Sequence, residues 1–559
     1  MSELRIENLK THFHTREGIV RAVDGVNFSI AKGEVVGLVG ESGSGKTVTC
    51  HSILNLLPSP PAQIEDGKIF LDEENLLSAS NERMRSLRGK EISMVFQDPM
   101  SCLNPYMTIL EQVAEPLIIH KIADPAQALE KAMEMLIRVG VDKIRDRKGA
   151  FPHEFSGGMR QRAMIAMALA TKPNLLLADE PTTALDVTVQ AKILRLLKSL
   201  CQDFGTSVLF VSHDLSVVAE IADRVVVMYQ GKIVEENDTQ SLFRSPSHPY
   251  VKALIACRPT LRTQVQVLPT VADFIGDRVR KVKKANHKTE ITKQIEREEL
   301  IATYDLSVHF GQREKQEGII RAVDHVNLSI ERGKTIGLVG ESGSGKSTLG
   351  RAILRLVKIT SGRVVQHKQN VDELRGDALL AFRKKMQIVF QDPHASLNPR
   401  LTIEETLLEP LVVHRIGLNG KERLERVVGL LEEVGLESSH LHRYPHEFSG
   451  GQRQRICVAR ALTTEPEFIV CDECVSAMDV SVQAQVLNLL RELQKNRSLT
   501  YLFISHDLSV VKYMSDAIAV MREGKIEEFG TAKDIYGNPK SAYTQELLDS
   551  IPKSSLLWE

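Results

Sequence analysis

Short apolar runs recur along the chain and are separated by longer stretches in which apolar and polar residues mix. Six runs are only four or five residues long: 35–39, 175–178 and 208–211 in the first half, and 335–339, 468–471 and 501–504 in the second. Runs of this length are typical of strands buried on both faces of a parallel sheet. Between them, positions 126–137 and 159–170 are expected to be helices. The pattern predicts an α/β fold in each half, with helices covering a mostly parallel sheet.

Both halves of the chain contain the same motifs in the same order. GLVGESGSGK at 37–46 returns at 337–346, and RAVDGVNFSI at 21–30 returns as RAVDHVNLSI at 321–330. VFQDP, HEFSGG and SHDLSVV begin at positions 95, 153 and 212, and again at 389, 446 and 505. A period of about 300 residues is far longer than a solenoid unit. The sequence therefore predicts two tandem domains, at 1–258 and 298–559, joined by a linker at 259–297.

The predicted linker contains a basic run made of Arg278, Arg280, Lys281, Lys283 and Lys284. One interpretation is a solvated tether, because like charges repel and keep a segment extended. The other is a contact with anionic lipid or RNA. We expect the tether.

Each domain has a glycine-rich motif, G-x-x-x-x-G-K-[ST], directly after its first short apolar run. Its glycines let backbone N–H groups approach a crowded anion, and the following helix adds the positive end of its dipole. The lysine reaches the β and γ phosphates, and the hydroxyl after it ligates Mg²⁺. The residues are Gly40, Glu41, Ser42, Gly43, Ser44, Gly45, Lys46 and Thr47, and Gly340, Glu341, Ser342, Gly343, Ser344, Gly345, Lys346 and Ser347. Two matches at equivalent points of a duplication exclude a chance occurrence.

Acidic residues and histidines end the other apolar runs in both domains. Asp179 and Asp472 are expected to hold Mg²⁺ opposite the glycine loop. Glu180 and Glu473 follow directly and are candidates to orient or deprotonate the attacking water. A lone histidine is usually structural. His213 and His506, however, occur in a repeated Ser-His-Asp context, so we expect them to contact the γ-phosphate and that water.

The order of these motifs, together with Phe96-Gln97, Phe390-Gln391 and two Ser-Gly-Gly sequences, resembles the ATP-binding-cassette ATPases. The resemblance implies two P-loop NTPase domains, each with a RecA-like core and a helical subdomain. It also implies that the serine-glycine signature of one domain faces the ATP held by the other. Gln97 and Gln391 would take part in catalysis and Mg²⁺ binding.

The resemblance therefore implies two composite ATP sites, both able to hydrolyse ATP. One would combine Lys46, Thr47, Gln97, Asp179, Glu180 and His213 with Ser449, Gly451 and Gln452. The other would combine Lys346, Ser347, Gln391, Asp472, Glu473 and His506 with Ser156, Gly158 and Met159. Asp186 and Asp479 resemble residues that cross between the sites. Phe13 and Phe310 are candidates to stack on adenine, although as lone aromatic residues they fit a core equally well.

Three features depart from the family pattern. Met159 stands where glutamine is usual, and Cys474 stands where proline usually follows the Asp-Glu pair. Cys471 and Cys474 also form a C-x-x-C, a spacing that a redox or metal pair would use, but we expect these cysteines to lie on a buried strand and in the turn after it.

The third departure concerns Ser247-His-Pro-Tyr250, which resembles the tail of peptide-importer ATPases. Cys257 near it is isolated, so no iron–sulfur cluster is predicted.

The residues after each glutamine, at 97–105 and 391–399, closely resemble the dipeptide, oligopeptide and nickel uptake subgroup, as do FSGGMRQR and FSGGQRQR. The chain resembles a fused double-ATPase subunit of a bacterial peptide or glutathione importer. Its implied partners are two polytopic permease subunits and an extracytoplasmic solute-binding protein. Residues 98–154 would form a helical subdomain that helps to receive coupling helices of the permease. Selectivity among dipeptide, oligopeptide, glutathione and nickel complex is expected to lie in those partners.

Two other functions use tandem cassettes without a membrane span. A soluble factor acting on the ribosome is the main alternative, but the long helical subdomains and Gln-Asp-Pro loops favour permease docking. A DNA-repair cassette ATPase would need zinc-type cysteine pairs, which this sequence does not contain.

Charge and hydropathy indicate where the chain acts. Its 71 basic and 72 acidic residues give a net charge of -1, which is unlike a nucleic-acid-binding protein. No stretch reaches 18 uncharged apolar residues, and positions 1–10 lack the apolar core of a signal peptide. We therefore expect a peripheral protein on the cytoplasmic face of the inner membrane, attached only through the permease.

Overall fold

The computed structural model describes residues 2–15, 18–98, 102–182, 186–261, 263, 265–275, 298–311, 319–476 and 478–551. The chain forms two compact units. The first contains the described residues up to 255 together with 274 and 275, and the second contains the described residues of 256–273 together with those from 298 onward. The predicted boundaries at 258 and 298 remain predictions, and the basic run at 278–284 lies outside the described residues.

The first unit is built on two sheets. A four-stranded antiparallel sheet has the order β2-β1-β4-β5, and a six-stranded sheet has the order β10-β9-β3-β8-β7-β6. Its strands are β1 Ser2–Thr15, β2 Gly18–Ala31, β3 Val35–Val39, β4 Ala62–Leu71, β5 Glu74–Asn75, β6 Ile92–Val95, β7 Leu175–Asp179, β8 Ser207–Ser212, β9 Arg224–Tyr229 and β10 Lys232–Asp238.

The larger sheet has its parallel strands at the predicted apolar runs. β3 lies between β8 and β9, β7 lies between β6 and β8, and all of these pairs are parallel. Every residue of β3, β7 and β8 is buried. Only β10 joins the sheet antiparallel. The predicted α/β class with a mostly parallel sheet is confirmed.

Helices cover the sheet and form the region between β6 and β7. Helix Pro125–Arg138 confirms the helix expected at 126–137, with a proline in its first turn and the Asp124 side chain accepting a hydrogen bond from the Gln127 N–H. The described α-helices are Lys46–Ile53, Asn81–Leu87, Ile109–Ile119, Pro125–Arg138, Gly157–Leu169, Val187–Phe204, Leu215–Ile221, Thr239–Arg244 and Pro249–Cys257.

The second unit repeats this architecture, with sheets ordered β12-β11-β14-β15 and β16-β17-β18-β13-β19-β20. Its strands are β11 Glu299–Phe310, β12 Ile320–Glu331, β13 Thr335–Val339, β14 Ser361–Gln366, β15 Gln369–Asn370, β16 Met386–Val389, β17 Phe468–Asp472, β18 Thr500–Ile504, β19 Ala517–Arg522 and β20 Lys525–Thr531. Its described α-helices are Lys346–Ile353, Gly376–Lys385, Pro393–Ser396, Ile403–Val413, Gly420–Glu433, Gly450–Leu462, Val480–Arg497, Leu508–Met514, Ala532–Gly537 and Ala542–Asp549.

Each unit has one core that joins its two sheets. In the second unit, Leu306 of β11, Leu338 of β13 and Ile504 of β18 belong to the same buried cluster, and the first unit has an equivalent cluster. Among the described residues, none of the helices is both long and apolar enough to cross a membrane. Because β3, β8 and β7 are parallel neighbours in the six-stranded sheet, their carboxyl ends meet at one edge of that sheet. The loops that follow these strands are expected to form a site there.

Candidate nucleotide sites

The glycine-rich loops lie between a buried strand and a helix in both units. β3 ends at Val39 and β13 at Val339, and the helices that follow start at Lys46 and Lys346. Gly45 and Gly345 have φ angles of 104° and 103°, where a side chain is strained. A Cβ on Gly45 would lie 2.3 Å from the Ala22 carbonyl oxygen. These glycines are therefore required by the shape of the loop, as the motif predicts.

The loop lysines are buried and enclosed by the loop itself. The Lys46 ammonium donates to the carbonyl oxygens of Gly40, at 2.7 Å, and Glu41, at 2.9 Å. Lys346 makes the equivalent bonds, both 2.8 Å long. Both lysines are only 4 % exposed. A buried ammonium held at the loop centre provides a fixed positive charge for an anion.

A tyrosine to which the sequence analysis assigned no role at the site supports each glycine-rich loop from outside. The backbone N–H of Glu41 donates to the Tyr250 hydroxyl at 3.1 Å, and that of Glu341 donates to the Tyr543 hydroxyl at 3.0 Å. Tyr250 is fully buried, and Tyr543 is 5 % exposed. The two tyrosines are 293 residues apart, the same spacing as the HEFSGG and SHDLSVV motifs. That spacing is the signal that could have identified them.

The carboxylates expected to hold Mg²⁺ lie beside the loop hydroxyls. Thr47 Oγ1 donates to Asp179 Oδ1 at 3.2 Å, and Ser347 Oγ donates to Asp472 Oδ1 at 2.6 Å. Burial raises the pKa of Asp179 to about 6, and burial also raises the pKa of Asp472. The Arg351 guanidinium lies 3.7 Å from Asp472 Oδ2. A buried carboxylate next to a hydroxyl has the donor set that Mg²⁺ prefers.

Each glutamate after these aspartates contacts both a glutamine and a histidine. In the first unit, Glu180 Oε2 accepts from Gln97 Nε2 at 3.1 Å and lies 3.1 Å from His213 Nδ1. In the second, Glu473 Oε2 accepts from Gln391 Nε2 at 2.8 Å and lies 3.5 Å from His506 Nδ1. The structure thus brings together three groups that are far apart in sequence.

The environment of Glu473 keeps it ionised. Burial raises the pKa of its carboxyl, but the His506 hydrogen bond and the positive charges of His506 and Lys346 outweigh burial, so the pKa lies below its ordinary value. A carboxylate that is ionised and oriented by an amide and an imidazole can accept a proton or hold a water molecule.

A cleft in the second unit joins the loop to these groups. Its volume is 430 Å³, and it is lined by Ser342, Lys346, Ser347, Gln391 and Glu473. Ile320 also lines it and pairs across strands with Phe310, whose side chain is 44 % exposed. In the first unit, Phe13 pairs with Val20 in the same register. Both aromatic residues thus lie beside an aliphatic partner at the end of the four-stranded sheet of their unit.

The signature serines cap the helices that follow them. Ser156 Oγ accepts from the Met159 N–H at 3.4 Å, and Ser449 Oγ accepts from the Gln452 N–H at 3.3 Å. Only Gln452 closes a capping box, by accepting from the Ser449 N–H at 3.0 Å. A Cβ on Gly451 would lie 2.2 Å from Val482 Cγ1, and one on Gly158 would lie 3.1 Å from Val189 Cγ1. Helix Gly157–Leu169 confirms the helix expected at 159–170.

The remaining candidates occupy the expected elements. Asp186 and Asp479 lie at the N-caps of helices Val187–Phe204 and Val480–Arg497. Cys471 lies in β17 and Cys474 in the turn after it, both almost fully buried, which confirms the structural interpretation of the C-x-x-C. Among the described residues, no group of three or more histidine, cysteine, aspartate or glutamate side chains could hold a metal ion. The absence of an iron–sulfur cluster stays a prediction.

Comparisons with known proteins identify the family. The ABC transporter family model matches residues 23–183 and 323–476, which contain the loops and carboxylates described above. The model for the oligopeptide/dipeptide transporter C-terminal region matches residues 234–275 and 528–558. The chain belongs to the ABC transporter family and is an ATPase with two ATP-binding cassettes. The first and second units are called the first and second cassette below.

Curated relatives match almost the whole chain. The peptidoglycan transport ATP-binding protein YejF of Agrobacterium fabrum is 45% identical over 549 residues, covering 98% of this chain and 95% of the relative. The glutathione import ATP-binding protein GsiA of Escherichia coli O157:H7 is 43% identical over 561 residues, covering 98% and 89%. The ribosome-acting alternative is not supported. The expected fold of two tandem cassettes is confirmed.

Proposed function

We propose that this chain is the ATP-hydrolysing subunit of a bacterial importer of peptides or peptide-like solutes. The observation that carries this proposal is the position of Gln391. It lines the nucleotide cleft with its Nε2 bonded to Glu473, and it also lines a second cleft of 640 Å³ on its other side. One side chain therefore contacts both the reacting groups and a surface open to a partner.

The second cleft has the shape and the chemistry for a permease helix. It lies between β16, helix Ile403–Val413 and helix Gly450–Leu462, and Phe390, Pro410 and Arg460 line it. An amphipathic helix docks in a groove of this kind through apolar anchors. A shift of that helix would move Gln391 and, through it, Glu473. The similarity to a peptidoglycan transport and a glutathione import ATP-binding protein over 98% of the chain supports the same conclusion.

In the proposed reaction, two ATP molecules bind between the cassettes. The loops with Lys46 and Lys346 hold the phosphates, and Glu180 and Glu473 orient and deprotonate the attacking water. His213 and His506 hold each glutamate in place. The signature residues Ser156, Gly158 and Met159 would contact the ATP of the second cassette, and Ser449, Gly451 and Gln452 that of the first.

The residues fit Mg²⁺ in each site. Thr47 and Asp179, with Gln97, would hold it in the first cassette, and Ser347, Asp472 and Gln391 in the second. The ion would neutralise charge on the β and γ phosphates. Phe13 and Phe310 would stack on adenine, and Asp186 and Asp479 would lie near the boundary between sites.

The proposed partners are two polytopic permease subunits and a solute-binding protein outside the cytoplasm. The chain would lie on the cytoplasmic face of the inner membrane and contact the membrane only through the permease. ATP binding would favour a closed pair of cassettes, and hydrolysis would release it.

Replacing both glutamates by glutamine tests the proposal. The double variant Glu180→Gln/Glu473→Gln should still bind ATP, because the loops are intact, but lose about 100-fold to 10,000-fold in turnover. Uptake of labelled peptide should stop in proteoliposomes that contain the chain and two permease subunits that co-purify with it. Glu82→Gln, at the exposed start of helix Asn81–Leu87, is the control and should behave as the native chain.

Two results would reject the proposal. Near-normal turnover in the double variant would exclude these glutamates as the catalytic bases. A chain that sediments with ribosomes and does not co-purify with permease subunits would exclude the importer.

A further inference from the structure

The described residues 256–261, 263 and 265–273 belong to the second cassette, although they directly follow the first cassette in sequence. We call them the docking segment. Cys257 is fully buried, Leu268 is 1 % exposed, and the prolines at 259 and 269 are also buried. The described part of the predicted linker before residue 274 is therefore anchored by buried residues and is not a solvated tether, although Val267 remains exposed.

Asn488 binds the backbone of the docking segment with both ends of its side-chain amide. Its Oδ1 accepts from the Leu268 N–H at 2.8 Å, and its Nδ2 donates to the Leu268 carbonyl oxygen at 2.8 Å. These two hydrogen bonds resemble the pair that two directly opposed residues exchange in antiparallel strands. Because it satisfies two backbone groups at a buried residue, its loss leaves both unpaired.

The short helix Leu508–Met514 provides two further contacts. The Lys512 ammonium donates to the Leu261 carbonyl oxygen at 2.5 Å, and the Tyr513 hydroxyl donates to the Gln266 carbonyl oxygen at 2.9 Å. The Arg491 guanidinium lies 4.5 Å from the centre of the Tyr513 ring and holds that side chain in place. The docking segment thus fixes helices Val480–Arg497 and Leu508–Met514 to one another.

The helix held in this way begins beside His506. Asp507 caps it by accepting from the N–H groups of Ser509, at 2.8 Å, and Val510, at 3.2 Å. Arg258 of the docking segment lies 3.8 Å from the other carboxylate oxygen of Asp507. Because Asp507 directly follows His506, a movement of Asp507 changes the backbone that orients the His506 imidazole toward Glu473.

The first cassette has other residues at the equivalent positions. Arg195, Ala219 and Glu220 stand where the second cassette has Asn488, Lys512 and Tyr513. The amide pairing, the lysine contact and the tyrosine contact are therefore specific to the second cassette. The duplication has left two ATPase sites whose histidine-bearing helices are supported differently.

We propose that the docking segment is a positioning element for hydrolysis in the second cassette, which holds the helix after His506 so that the imidazole stays on Glu473. Asn488 and Tyr513 are positioning residues, since they act through that helix and do not contact ATP. The proposal rests on the role of His506 proposed above, and it places a requirement for the second site in the segment that directly follows the first cassette in sequence.

Amide hydrogen exchange and steady-state kinetics of full-length variants test this. Asn488→Asp keeps the shape but turns a carboxylate oxygen toward the Leu268 carbonyl oxygen, and Tyr513→Phe removes only a hydroxyl. Each should raise exchange in residues 505–514 about fivefold, as expected for a lost hydrogen bond of about 1 kcal/mol, and leave residues 212–221 unchanged. The kcat of ATP hydrolysis should fall by about twofold or more at unchanged KM, since the phosphate loop is untouched.

Arg195→Ala, at the position equivalent to Asn488, is the matched control and should change neither measurement. Unchanged exchange in residues 505–514 in both variants would overturn the proposal, because the docking segment would then not hold the helix. Raised exchange with native kcat would overturn it as well, since the helix would then not position the histidine. Near-normal turnover in the glutamate double variant would instead reject the catalytic role of Glu473, whatever the docking segment does.

Discussion

Glu180 and Glu473 adopt a backbone conformation that most residues avoid. Their φ angles are 46° and 49°, in the left-handed region, and their N–H groups donate to the carbonyl oxygens of Val211 and Ile504, both at 3.0 Å. A non-glycine residue held there costs on the order of 1 kcal/mol or more and persists only when its surroundings impose it. Here the strand edge imposes it, and the strain turns each carboxylate toward its glutamine and histidine.

Asp179 gives a pH-dependent prediction. Its folded pKa of about 6 lies above the ordinary value of 3.8, so the fold favours the protonated form. That contribution to stability is present below about pH 4 and is lost as the pH rises through about 6. In nucleotide-free protein at pH 8 the buried charge costs at most about 3 kcal/mol. Asp179→Asn should therefore melt several degrees higher than the native chain at pH 8 in EDTA, and the difference should vanish toward pH 4.

Asp472→Asn is the comparison for that experiment. Arg351 lies 3.7 Å from Asp472, so removing this charge also removes the partner of a guanidinium, and the gain should be smaller. Addition of MgATP should stabilise the native chain more than Asp179→Asn. A variant that melts at or below the native temperature in EDTA at pH 8 would contradict the argument.

At the scale of elements, the two signature helices differ at one capping position. In the second cassette Gln452 returns a bond to the Ser449 N–H, and in the first Met159 has no polar atom to do so. A solvent-exposed capping bond stabilises a helix start by about 0.5–1 kcal/mol. The first turn of helix Gly157–Leu169 should therefore open more often than that of helix Gly450–Leu462.

Exchanging the two residues tests this difference. Met159→Gln should slow amide exchange at residues 156–160 about twofold to fivefold, and Gln452→Met should accelerate it at residues 449–453 by a similar factor. Met159→Leu, which adds no acceptor, should match the native chain. Equal exchange in Met159→Gln and Met159→Leu would show that the capping box does not form.

The elements that the sequence predicted well are those with a local signal. The strands at 35–39 and 335–339 contain no charged residue, are almost entirely apolar and end at a glycine loop, so length and composition were enough to place them. The contact of Tyr250 with Glu41 joins residues 209 positions apart, and no local pattern encodes it. Packing of the docking segment was missed for a similar reason: Leu268 and Asn488 are 220 residues apart, and the basic run beyond them favoured a solvated tether.

At the scale of the molecule, duplication followed by divergence has produced two similar sites that are surrounded by different side chains in the two cassettes. Both cassettes retain the lysine, the aspartate, the glutamate and the histidine to which hydrolysis is assigned in the proposed function. They differ at Met159 and Gln452, at Arg195 and Asn488, and at Pro181 and Cys474. In the composite sites proposed above, one chain supplies both cassettes, so each site would always have the same partner. Differences between the two cassettes could then persist without changing which cassettes pair.

The exchange of signature residues between cassettes can be tested by labelling. In the Glu180→Gln/Glu473→Gln background, a photoreactive ATP analogue should label peptides near Lys46 and Lys346, as read by mass spectrometry. Ser449→Gly removes the hydroxyl while keeping a tolerated N-cap, and it should lower labelling near Lys46 about tenfold, the effect of one hydrogen bond to a charged group. Ser156→Gly should lower labelling near Lys346 instead, so each variant is the control for the other. If Ser449→Gly lowered labelling near Lys346 alone, each cassette would bind ATP with its own signature, and the composite sites would be wrong.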